Sequence, residues 1–191
     1  MPDAEIRVPL FRVLQDLEDS ERQASEIMQA VSNHQANWQP LNSWSMVQCL
    51  LHLAQMNRVY STPIHEAVAN AETAEPAPER IIAPGWFGSW FIRSMEPPIR
   101  TRMQSPRSIV PDGHARDPHE VLTDFLASHH PVRALAEAAS RVEVNKVRFK
   151  NPFLSVLRFT VGTGLLIINA HDRRHLWQAS QVKQAPGFPP E

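Results

Sequence analysis

The chain has 191 residues, of which 42% are hydrophobic and 20% charged, with a formal net charge of −1. That length buries a sizeable core as one soluble domain, and the near-zero charge gives no electrostatic case for a nucleic-acid or anionic-membrane partner. A single cysteine, Cys49, excludes an internal disulfide framework and suits a reducing cytoplasm, and no apolar run approaches membrane-spanning length.

The first predicted element follows Pro9. Leu10, Phe11, Leu14, Leu17, Ala24, Ile27, Met28 and Val31 recur at three- and four-residue spacing, which predicts an amphipathic helix with one buried stripe. A second helix opens at Ser45, where "SMVQ" forms a capping box between Ser45 and Gln48, and Trp44 and Cys49 take the two positions of a hydrophobic staple. This helix is expected to run to about Tyr60, with Pro63 marking its end. From 63 to 117 the sequence is too proline-rich for long regular elements, and "GWFGSWFIRSM" within it predicts one short helix. Its rings Trp86, Phe87, Trp90 and Phe91 need cover, so they are expected at a pocket mouth or a dimer contact.

Asp117 caps a third helix whose first position is Pro118, with Glu120 expected to close a capping box, and Pro131 is expected to kink it by removing a backbone donor. Thr160 caps a fourth helix from Val161 to about Gln184, with Gly162 and Gly164 weakening its first turn. The chain is thus predicted to be a single all-α domain over 1–191, a four-helix bundle. Its long crossover, 63–117, lets the second and third helices run parallel.

Nine histidines are an unusual number, and two of them fall in "HDRRHLWQ". His171 and His175 are one helical turn apart and continue the apolar row of Ile167, Ile168, Gln178 and Val182, while Asp172 and Arg173 point elsewhere. His52 lies on the row of Cys49, Met56 and Val59 in the second helix. A lone His-x-x-x-His pair is weak evidence, and a lone core histidine more often finds an ordinary hydrogen-bond partner. Three inward histidines on two helices are better explained by a shared ion, bound with a position left open for water or substrate. His34, His65, His114, His119, His129 and His130 sit near helix ends or in polar stretches and are assigned no role.

"WSMVQCLLHLAQ" and "NPFLSVLRFT" followed by "HDRRHLWQA" resemble the second-helix and closing signatures of the DinB/YfiT-like four-helix-bundle family. The resemblance implies that His52, His171 and His175 bind one divalent ion, zinc or nickel, and that the protein can be a homodimer acting on a small-molecule substrate. It implies metal-dependent hydrolysis or transfer of a low-molecular-weight thiol, such as bacillithiol or mycothiol, to an electrophile. A non-catalytic binding or stress-response protein is the contrasting class. Many relatives carry glutamate where this chain has Gln48, and an amide orients a group but accepts no proton as a base. Gln48 either completes the helix cap or borders the substrate, together with Trp86 and Trp90 of the excursion.

Overall fold

The computed structural model describes residues 5–99, 105–154 and 156–190; residues 100–104 of the predicted excursion lie outside them. Four long helices form the body: α1 (Phe11–Met28), α3 (Met46–Ala69), α5 (Pro118–Ala139) and α6 (Val161–Val182). A one-turn helix α2 (Asn33–Asn37) links the first two, and α4 (Gly85–Met95) lies within the excursion. Two small antiparallel pairs complete the chain. β1 (Val8–Pro9) pairs with β2 (Ile81–Ile82), and β3 (Arg148–Lys150) pairs with β4 (Arg158–Thr160).

The expected N-cap residues are in place, although Glu120 does not close a box with Asp117. Ser45 and Gln48 make a reciprocal box, Asp117 accepts from the His119 and Glu120 amides, and Thr160 accepts from the Thr163 amide. The stop expected at Pro63 is wrong, because α3 continues through it to Ala69. Tertiary packing outweighs the missing donor there. Tyr60 and Ile64, on either side of the proline, are both buried, and Ser61 Oγ donates to the Asn57 carbonyl at 2.6 Å. Helix α5 contains Pro131 and continues past it, as expected.

Helices α1 and α3 each pack against both α5 and α6. Glu21 meets His129 and Glu18 meets Arg133, so α1 and α5 run antiparallel. His52 meets His171 while Ile64 meets Gly164, so α3 and α6 are also antiparallel. Asn169 reaches the Val13 carbonyl and Arg173 reaches Asp16, so α1 and α6 run parallel. It follows that α3 and α5 are parallel, the arrangement that the long crossover permits.

The core consists of two apolar clusters. One takes Leu10 to Leu17, Met56 to Ile64, Val132 to Ala139 and Val161 to Ala170; the other takes Ala24 to Met28, Met46 to Leu53, Val121 to Phe125 and Leu176 to Val182. Each long helix places buried polar side chains near the join between them: Ser20, His52 and Asn57, Ser128 and His129, and Asn169, Asp172, Arg174 and His175; Gln48, Ser61 and Thr163 are buried nearer the helix ends. A polar belt therefore crosses the middle of the bundle, and each member requires a partner.

Candidate metal centre

Within this belt, His52, His171 and His175 each bring one ring nitrogen to within 4.8 Å of the others. His52 Nε2 and His171 Nε2 stand 2.9 Å apart. His52 is fully buried and His175 nearly so, while His171 is partly exposed. The half-buried Trp44 walls it, with its indole 4.8 Å from the His52 ring and stacked at 5.4 Å on His175.

The second ring nitrogens fix the tautomers. His52 Nδ1 is 2.8 Å from the Ile109 carbonyl, and His175 Nδ1 is 3.0 Å from Gln178 Oε1. Both partners are acceptors, so both Nδ1 atoms carry the proton and both Nε2 atoms present a lone pair to the cluster. Burial holds His52 below the ordinary histidine range against the opposing bond to Ile109. Burial, then the charges of His52 and Arg174, brings His175 down to about 3. Burial, then the charges of His175, His52 and Arg174, holds His171 well below its usual range. Three neutral imidazoles are the form a divalent cation takes as ligands. Two nitrogens each about 2.0–2.1 Å from one ion stand roughly 3 Å apart, and the observed separation matches. The residues fit a bound ion.

Helix α6 is held in this rotation from several sides. Asn169 donates to the Val13 carbonyl at 3.1 Å, and Asp172 meets His129 of α5 at 3.1 Å. Arg173 pairs with Asp16 at 2.9 Å and with Glu96, just past α4. Arg174 donates to the Ser94 carbonyl at 3.3 Å. The residues between and beside the two histidines thus tie α6 to α1, α4 and α5, leaving His171 and His175 turned toward α3.

The family model of the DinB superfamily matches residues 16–179. The chain belongs to the DinB superfamily. No curated protein and no solved structure matches it. The histidines implied by the family signature are the three that this DinB-superfamily chain brings together.

Gln48 stands one turn before His52, with both ends of its amide engaged: Oε1 accepts from the Ser45 amide at 2.9 Å, and Nε2 donates to the Asp112 carbonyl at 3.3 Å. It closes the cap and also ties the excursion to α3, beside the Ile109 carbonyl that holds His52. Trp86 and Trp90 are exposed on α4 and make no ring contact with the histidines.

Three residues near or behind the site went unassigned in the sequence. Trp44 was placed as a staple, and its position before an N-cap gives no hint that it covers imidazoles. Gln178 was visible on the histidine row, three residues after His175, which is the spacing its hydrogen bond uses. His129, assigned no role, is fully buried between Asp172 at 3.1 Å and Glu21 at 3.0 Å. Its signal was its place on the buried row of Phe125 and Val132.

Proposed function

We propose that this protein is a divalent-metal enzyme that transfers a low-molecular-weight thiol to an electrophilic small molecule, its zinc or nickel ion held by His52, His171 and His175. The observation that carries this reading is the convergence of three neutral nitrogens, one of them on the partly exposed His171, with no carboxylate joining them among the described residues. A divalent ion held there supplies Lewis acidity that favours a thiol as its thiolate and lowers the pKa of water toward ~7.

Thiol transfer asks least of the surrounding side chains. A free thiol ionises near pH 8.5, whereas hydrolysis benefits from a group that takes a proton from water and delivers it to the leaving group. Gln48 replaces a glutamate common in relatives, and its amide is committed to Ser45 and Asp112. Trp44 offers an apolar wall for the organic part of a substrate, and the partly exposed edge of His171 marks the way in.

The test is elemental analysis of the purified protein and of His171→Ala, followed by an assay of small thiols with a fluorogenic electrophile. The expected result is about one zinc or nickel per chain, lost in His171→Ala, with conjugation that disappears when the metal is removed. Metal-dependent ester or amide cleavage without conjugation would move the reading to a hydrolase. Tight metal binding with neither reaction would make the protein a non-catalytic binder.

A further inference from the structure

We propose that the β3–β4 hairpin and the outer side of α4 form one peripheral face that docks on a bilayer rich in anionic lipid. The first observation is exposed apolar area. On α4, Trp86, Phe87 and Trp90 are 67%, 45% and 54% exposed, and at the hairpin tip Leu154 and Val156 are 56% and 88% exposed. The two elements that carry these side chains touch each other. The Phe87 ring stacks on Phe159 of β4 at 6.2 Å with planes 9° apart, Phe91 stacks on the same ring at 5.4 Å, and Phe159 is the register partner of Phe149. Helix α4 therefore packs against the hairpin through Phe159, with Trp86 and Trp90 left exposed on its outer side.

The second observation is charge. Strand alternation turns Phe149 and Phe159 inward and Arg148, Lys150 and Arg158 outward, with exposed Lys146 just ahead. Among the described residues none of these four cations makes an ion pair. No Asp or Glu occurs from Ile81 to Met95 or from Val144 to His171. The acids that flank these segments are engaged elsewhere, Glu143 with Arg80 and Glu96 with Arg173. The net charge of −1 is thus an average over a chain in which two segments carry aromatics and cations but no acid.

An anionic bilayer meets both halves of this surface. Indole rings favour the boundary between headgroups and acyl chains, where Leu154 and Val156 also find apolar surroundings, and cations beside them meet the lipid phosphates. A second copy meets only one half, because a two-fold contact through this face sets four cations against four. Nothing crosses the bilayer in this arrangement; among the described residues no helix is long and apolar enough to do so.

The experiment is co-sedimentation of the full chain with unilamellar vesicles of phosphatidylcholine alone or mixed equally with phosphatidylglycerol, at low and high salt. Tryptophan emission is read in parallel. The expected result is binding to the anionic vesicles only, a blue shift on binding, and release by salt. Arg148→Gln with Lys150→Gln and Arg158→Gln lowers the partition coefficient on the order of a hundredfold, since each cation near an anionic surface is worth about fivefold. Trp86→Gln with Trp90→Gln, and Val156→Asp separately, each abolish the blue shift; all these positions are exposed, and unchanged melting curves confirm that the variants fold. Wild-type protein left in the supernatant with anionic vesicles at low salt overturns the proposal. So does equal binding by the variants, or a dimer or single-stranded nucleic-acid complex that the variants break while vesicles are ignored.

Discussion

Gln178 bears on the metal site without entering it. Its Oε1 accepts the His175 Nδ1 proton at 3.0 Å, and that bond sets which nitrogen faces the cluster and how the ring is turned. The Ile109 carbonyl does the same for His52, but a backbone group cannot be removed by substitution. Replacing Gln178 by leucine keeps much of the side-chain volume and deletes only the acceptor. Loss of such an outer partner costs about 10–100-fold in metal affinity. Gln178→Leu is therefore expected to bind zinc 10–100-fold more weakly in competition with a chromogenic chelator, with an unchanged helical circular-dichroism spectrum. Undiminished affinity would mean that packing against Trp44 alone orients His175.

At the scale of elements, the start of α6 depends on how closely β3 and α3 approach it. A methyl group at Gly164 would lie 2.6 and 2.7 Å from two atoms of the Phe149 ring and 2.9 Å from Ile64 Cδ1. Alanine would gain about 1 kcal/mol in helix propensity, but overpacking a filled core costs about 1–3 kcal/mol. Gly164→Ala is thus expected to be neutral to destabilising by up to about 2 kcal/mol, read from the urea midpoint. A clear gain in stability would show that Phe149 moves aside freely. These glycines were legible only as weak points of a helix, because their use depends on a hairpin that was not foreseen. Its pattern was present in "VRFK" and "LRFT", two short alternations around Asn151-Pro152, but each is too brief to outweigh a lead-in to a helix. The long helices and their caps were legible because amphipathic stripes and capping residues are local. Pro63 misled for the opposite reason: the burial of Tyr60 and Ile64 that carries α3 past it comes from distant parts of the chain. The three histidines were legible because helical rows place them on faces that must meet. Trp44 was not, since a loop side chain has no periodicity to read.

At the scale of the whole molecule, the polar belt joins helices that the apolar clusters alone would leave free to slide. His129 of α5 lies fully buried between Asp172 of α6 and Glu21 of α1, and Arg133 pairs with Glu21 at 2.8 Å and with Glu18 at 3.5 Å. Burial works against a charge on this imidazole, but the bond to Asp172 and its charge, then those of Glu21, outweigh it and raise the His129 pKa above the ordinary value. A histidine whose pKa is raised by folding contributes stability that is fully present below its unfolded pKa of about 6.5 and is lost as pH rises through the higher folded value. His129→Gln can keep one neutral donor toward Asp172 but carries no charge at any pH. The stability gap between wild type and His129→Gln should therefore be widest below about pH 6.5 and narrow as the pH is raised past the folded pKa. The change should be on the order of 1 kcal/mol, the difference between a charged and a neutral hydrogen bond. Taking the difference between the two proteins removes the titration of groups they share, including the three belt histidines of the metal site. Urea midpoints across a pH series measure it. A gap that is flat, or that widens toward alkaline pH, would mean that the native state holds His129 neutral and that α1, α5 and α6 are joined by neutral hydrogen bonds instead.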